Sequence, residues 1–210
     1  MAEEVVYVHG LWMSGGESLL LRRRLSREFA LEVHPFRFNA VASMSEIISR
    51  LQRFVRDLKA DRLHFVGHSL GGLVIYRFLE RFPHQPPGRV VFLGTPSVAS
   101  RAAVQASQIR LVATLMGRSV ADELLRPRER RWQAANRELG IIAGTQPFGV
   151  GQILARFDED CDGTIAVSET QLPGATDHIT LPVSHLGMLM SARVARETGS
   201  FLQEGRFSLR

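Results

Sequence analysis

Cys161 is the only cysteine in the 210 residues, so no internal disulfide can brace the fold. Lysine is almost missing too: Lys59 stands alone, and arginine carries nearly all the positive charge. No apolar run approaches the ~20 residues of a membrane-spanning helix, so no transmembrane segment is expected. The chain opens Met1-Ala2-Glu3-Glu4 and passes straight into Val5-Val6-Tyr7-Val8. That opening has neither the basic region nor the cleavage site of a secretory leader. Together with the scarcity of cysteine it predicts a cytoplasmic protein. Internal repeats and low-complexity tracts are absent as well. The histidines and the lone cysteine do not fall at zinc-ligand spacing, and no glycine-rich phosphate loop occurs. Neither a metal nor a cofactor is expected.

What is present is an ordinary globular composition, 45% hydrophobic and 22% charged, long enough for one domain with a substantial core. The formal net charge of +5 raises the question of a nucleic-acid partner. The arginines are scattered, however, and interleaved with Glu and Asp. The densest groups are Arg22-Arg23-Arg24 and Arg126 to Arg131, and Pro127 and Glu129 interrupt the second. These read as solvated faces, and no nucleic-acid partner is expected.

Short apolar runs alternate with amphipathic stretches. Strands are predicted at 5–8, 31–38, 63–66, 90–93, 139–143 and 179–183. Pro35 lacks a ladder donor, which places the second of these at a sheet edge. Helices are predicted at 17–29, 43–59, 70–82 and 187–202. In the second helix Met44, Ile47, Ile48, Leu51, Phe54, Val55 and Leu58 recur at helical spacing, and Ser43 with Glu46 can form a capping box. Residues 97–137 are mostly helical in pattern and longer than one crossover requires, so part of them can form a small lid. The expected fold is α/β: about six mostly parallel strands with helices on both faces.

The pattern Gly67-His68-Ser69-Leu70-Gly71 sits between the apolar strand Leu63-His64-Phe65-Val66 and an apolar helix. In that context G-x-S-x-G presents a serine on a sharp strand-to-helix turn. Side chains two before and two after would collide there, and glycine removes them. A serine hydroxyl needs a base, itself oriented by an acid that precedes it in the chain. His185 follows the last predicted strand and is the candidate base. His178 precedes that strand and reads as structural or surface, and His68 as part of the pocket wall. Among the carboxylates between the fifth strand and His185, Asp162 is the candidate acid, because Gly163 allows a turn that presents it inward. Asp160 is the alternative, with Asp158, Asp177, Glu159 and Glu169 further behind. The backbone N–H of Leu70 and, across the His9-Gly10 bend, that of Leu11 are candidate oxyanion donors. Trp12 and Met13 beside Leu11 are candidates for an acyl-binding wall.

His9-Gly10, Gly67-His68-Ser69-Leu70-Gly71-Gly72, Leu93-Gly94-Thr95-Pro96, Asp162-Gly163 and His185 before a C-terminal helix make the chain resemble the bacterial lipases and esterases of the α/β-hydrolase fold, including the PGAP1-like and small triacylglycerol-lipase branches. The chain has Ser97 where that family often has His, and Cys161 where it often has Asn. The resemblance implies a minimal version of the fold, an acyl-enzyme on Ser69 and a small ester or lipid-like substrate. A thioesterase or an acyltransferase would use the same residues. A non-catalytic binding protein of the same fold is the alternative from a different class.

Overall fold

The computed structural model describes residues 3–11, 13–39, 41–97, 130–134, 137–147 and 159–209. Within them six strands form one sheet in the order β2-β1-β3-β4-β5-β6, and every neighbouring pair is parallel. The strands are β1 (Glu3–Val8), β2 (Glu32–Phe36), β3 (Arg62–His68), β4 (Val90–Leu93), β5 (Leu139–Gly144) and β6 (Asp177–Leu181). The helices are α1 (Leu19–Phe29), α2 (Met44–Leu58), α3 (Leu70–Arg81), the single turn α4 (Val167–Thr170) and α5 (Ala192–Glu204).

Burial follows this order. The central strands β1, β3, β4 and β5 are almost entirely buried, whereas β2 and β6 at the edges keep partly open residues. Continuous apolar runs suit strands covered on both faces. Pro35 lies on edge strand β2, paired only with β1 at Tyr7, so its missing N–H breaks no second ladder. On one face Val6, Val8 and Phe65 pack with Ile47, Leu51 and Val55 of α2 and Leu73, Val74 and Phe78 of α3. On the other, Val5, Tyr7, Val66 and Val91 pack with Leu21 and Leu25 of α1 and Val194, Phe201 and Leu202 of α5.

The capping box of α2 is complete. Ser43 Oγ accepts the Glu46 N–H, and the Glu46 carboxylate accepts the Ser43 N–H. At the far end of the chain two boundaries differ from expectation. The last strand spans Asp177–Leu181 rather than 179–183, because Pro182 has no N–H to give and Val183 N–H folds back onto the Leu181 carbonyl at 2.8 Å. His178 is therefore the second residue of β6, not a residue ahead of it. The last helix is also split. A 3₁₀ turn at Gly187–Leu189 precedes α5, which Ser191 caps by accepting the Val194 N–H.

Most of the predicted lid or crossover stretch, 97–137, lies outside the described residues. Its described part at 130–134 is irregular, and Trp132 is buried there with its indole N–H donated to the Arg137 carbonyl. Arg130 corrects the reading of its arginine cluster as a solvated face. It is 6% exposed and donates to the Ser97 carbonyl, because a buried guanidinium must find acceptors. No helix among the described residues is long and apolar enough to cross a membrane.

Two substitutions weigh packing against capping in α2. Leu51→Ala empties a fully buried site and should cost about 2–5 kcal/mol. Ser43→Ala removes one cap and should cost about 1 kcal/mol. Urea titration monitored by circular dichroism checks both, and equal losses would contradict this packing.

Candidate active site

The chain runs from β1 outward to β2 and then crosses back to β3, so the strand order reverses between β1 and β3. A crevice opens at the carboxyl ends of strands at such a point, and ligands of open α/β sheets bind there. The loop after β1 carries His9, Gly10 and Leu11, and the turn after β3 carries Ser69.

Ser69 is the single residue between β3 and α3, with φ 54° and ψ −124°. A left-handed φ is costly for any residue with a Cβ, and it persists only where the surroundings enforce it. The enforcement is steric and local. A Cβ on Gly67 would lie 2.6 Å from Gly72 Cα, and one on Gly71 would lie 2.0 Å from the Val8 carbonyl oxygen. A Cβ on Gly72 would strike Thr95 Oγ1 at 2.1 Å. Glycine at all three lets α3 lie directly against β1, β3 and β4. The turn is also tied by hydrogen bonds: Ser69 N–H to the Leu93 carbonyl, 2.9 Å, and Thr95 Oγ1 to the Ser69 carbonyl, 3.0 Å.

Asp162 and His185 meet across the carboxyl end of β5. His185 Nδ1 donates to Asp162 Oδ2 at 2.6 Å, and His185 N–H donates to the Asp162 carbonyl at 2.9 Å. Asp162 Oδ1 accepts the N–H groups of Thr164 (2.9 Å) and Ile165 (2.7 Å). A carboxylate only 1% exposed needs such partners. Gly163 has φ 89°, the left-handed turn that brings those two N–H groups back onto the carboxylate. With Nδ1 donating, neutral His185 carries its lone pair on Nε2, the position of a general base.

Asp160 is exposed and has no hydrogen bond to His185, while Asp158 lies outside the described residues. Asp177 sits on β6 and accepts the N–H groups of His178 and Phe207. Glu169 is buried, and its carboxylate accepts the Ala166 N–H. Glu159 is exposed near α4. His178 Nε2 bonds Thr170 Oγ1, and burial lowers its pKa.

His68 is fully buried rather than forming an open wall. Its Nε2–H donates to the His185 carbonyl at 2.9 Å, and its ring stacks at a tilt on the His185 ring with centroids 4.7 Å apart. Burial first, and the neighbouring His185 second, push its pKa down to about 3, so it stays neutral. Its Nδ1 has no hydrogen-bond partner among the described residues. Because His68 adjoins Ser69 and holds the His185 main chain, it links the serine turn to the Asp162–His185 pair. Ser69 Oγ itself makes no hydrogen bond to a described residue. That contact is often long in unliganded enzymes.

The loop after β1 presses on the serine: a Cβ on Gly10 would lie 3.1 Å from Ser69 Cβ, 3.2 Å from His68 Nδ1 and 3.3 Å from Met13 Sδ. Met13 is half-buried there, and Trp12 lies outside the described residues. Leu70 opens α3, so its N–H has no acceptor within the helix. The N–H of Leu11 is likewise unengaged among the described residues.

The reading of the residues left out Gly94. Its φ is 55°, and a Cβ there would lie 2.9 Å from Asp162 Oδ2 and 3.1 Å from His185 Nδ1. Only the Leu93-Gly94-Thr95-Pro96 resemblance touched it, because nothing local reveals what a strand-ending glycine will face. Among the described residues, Glu4, Glu32 and His34 also converge, their ligand atoms within 4.8 Å of one another. They lie on β1 and β2 toward the amino ends of the strands, away from Ser69, and His34 is paired there with Glu4.

Comparison with known proteins agrees with this architecture. The sequence profile of the alpha/beta hydrolase family matches residues 5–163. A comparison with curated protein sequences returns no significant match. Among solved structures, the mature lipase BlEst2 of Bacillus licheniformis superposes with a TM-score of 0.74 at 17% identity, covering 98% of this chain and 93% of that one. Phospholipase PlaB of Legionella pneumophila, in complex with thio-NAD, gives 0.72 at 17% identity and covers 93% of this chain and 56% of that one. The RedJ thioesterase of prodiginine biosynthesis in Streptomyces coelicolor gives 0.61 at 13% identity, over 95% and 90%. At such identities the likeness is one of fold. With the profile spanning three-quarters of its length, the chain belongs to the alpha/beta hydrolase family.

Proposed function

We propose that this protein is a serine hydrolase of carboxylic esters that works through an acyl-enzyme on Ser69. The observation that carries the reading is the buried 2.6 Å bond between Asp162 Oδ2 and His185 Nδ1, in the same carboxyl-edge crevice as the forced turn at Ser69. His185 Nε2 takes the Ser69 proton as Oγ attacks the ester carbonyl carbon. Asp162 holds the imidazole in the required tautomer and stabilises the imidazolium. The N–H groups of Leu70 and Leu11 receive the oxyanion, aided by the positive end of α3. Collapse of the tetrahedral intermediate releases the alcohol, which takes the proton from His185. Water, deprotonated by His185, then attacks the acyl-enzyme, and His185 returns that proton to Ser69 Oγ as the acid leaves.

The substrate is a small ester or a lipid-like ester, with Met13 on the acyl side. The protein acts in the cytoplasm. Lipase, phospholipase and thioesterase neighbours share this fold, so p-nitrophenyl esters of graded chain length, set against acyl thioesters, identify the preferred acyl group and leaving group.

Ser69→Ala should lower kcat for a p-nitrophenyl ester by about 10⁴–10⁶ and abolish labelling by a fluorophosphonate probe, with an unchanged circular dichroism spectrum. Retention of more than a few per cent of the activity would remove Ser69 from the mechanism.

Asp162→Asn should lower kcat by about 10⁴, because the amide cannot hold the tautomer or balance the imidazolium. Asp160→Asn, at an exposed carboxylate, should stay within about threefold of wild type. Initial rates on the same ester decide between them, and comparable losses would reassign the acid.

A further inference from the structure

At the end of the sheet opposite Ser69, two strands bring three metal-type donors together. β1 and β2 pair in parallel, with Glu4 opposite Glu32 and Val6 opposite His34. Side chains two apart on a strand share a face, and so do opposed residues of paired strands. Glu4, Glu32 and His34 therefore stand on one face, the side on which Val6, Phe36 and the apolar residues of α2 form a core. One donor atom from each lies within 4.8 Å of the others. His34 Nε2 touches the Glu4 carboxylate and lies 3.7 Å from Glu32 Oε1. The group is split between two strands, which is why sequence spacing alone predicts no metal. The Glu4 side chain is 11% exposed, that of His34 25% and that of Glu32 73%. The group thus has a closed floor and an open side, where water can complete a coordination shell.

Glu4 supplies an independent observation. Four carboxylates are buried among the described residues: Glu4, Asp162, Glu169 and Glu197. Three of them accept backbone N–H groups. Asp162 takes those of Thr164 and Ile165, Glu169 that of Ala166, and Glu197 those of Ser208 and Leu209. Glu4 receives none, and no arginine or lysine reaches it among the described residues. Its partner is His34, an imidazole that Glu32 also faces. A buried carboxylate without donors is costly. One ring proton on Nε2 can bond only one of the two carboxylates. A divalent cation between the three groups would answer both.

We propose that Glu4, Glu32 and His34 form a binding site for a divalent transition-metal cation of the zinc type, which ties the amino end of edge strand β2 to β1. Two carboxylate oxygens and one imidazole nitrogen make a zinc donor set, with bonds of about 2.0–2.2 Å and a fourth position for water. The nitrogen donor and the small number of ligands disfavour magnesium and calcium, which seek shells of oxygen. The role is structural. The site lies at the opposite end of the strands from Ser69, and β2 has β1 as its only neighbour in the sheet of described strands.

The test uses the whole protein, stripped of metal with EDTA, and zinc chloride as the sole ligand. Isothermal titration calorimetry reads binding, and scanning calorimetry reads Tm. One zinc ion should bind per chain, and Tm should rise by about 5–10 °C at a hundredfold excess over Kd. Magnesium chloride at the same concentration should leave Tm unchanged. Glu32→Gln, at an exposed side chain, should fold normally and weaken zinc binding by more than about tenfold. His34→Ala should do the same; if it fails to fold, Glu32→Gln still decides. His84→Ala removes an exposed imidazole outside the group and should bind zinc as the unmodified protein does. Absence of zinc binding, or binding left intact by Glu32→Gln, would overturn the proposal. So would equal losses in Glu32→Gln and His84→Ala, which would mark adventitious surface binding. An equal rise in Tm with magnesium would overturn the zinc-type selectivity, and binding without a rise would overturn the tie between strands. None of these readouts depends on ester hydrolysis, so the hydrolase reading stands or falls separately.

Discussion

Contact between the first turn of α3 and three neighbouring strands sets the geometry on which the rest of the structure depends. The helix begins one residue after β3 ends, and it lies so close to β1 and β4 that glycine alone fits at 67, 71 and 72. This closeness leaves Ser69 no ordinary backbone conformation and drives it to φ 54°. It also brings the loops after β1 and β4 to the serine. Thr95 bonds its carbonyl, Leu93 receives its N–H, and Gly10 touches its Cβ. The cost of one strained residue is met by cores on both sheet faces that fix the strands and helices around it.

A second feature is the contrast among the histidines near that turn. Burial holds His9 and His68 neutral, and each donates one ring N–H to a backbone carbonyl. His185 alone among the three has a carboxylate partner. Positive charge is disfavoured on His9 and His68. The neutral rings serve as hydrogen-bonding struts, one toward the loop after β1 and one toward the loop after β6.

The reversal of strand order links fold and site. Because β1 and β3 are adjacent while their following connections diverge, a crevice exists before any side chain is placed. His185 and Asp162 reach the region from loops beyond β6 and β5, on the other side of β4, and Gly94 at the end of β4 is where they meet. A side chain at that position would press between Asp162 and His185.

The sequence by itself determined the six-stranded α/β architecture, the edge position of Pro35 and the capped helix after Ser43, and it offered Ser69, Asp162 and His185 as candidates. Each is written in local chemistry: apolar runs of strand length, a proline without a donor, a glycine-flanked serine, a carboxylate before a glycine. Local pattern could not reveal relations between distant segments. The pairing of Asp162 with His185, the wedge of Gly94 against both, the burial of Arg130 and the confinement of His9 between Phe38 and Gly10 depend on which loops meet at one edge of the sheet. Likewise the register of β6 was settled by its pairing with β5 and by a turn at Pro182, not by its apolar residues. Hydrogen bonds and steric contacts act over a few ångströms, and only the folded chain decides which residues come within that reach.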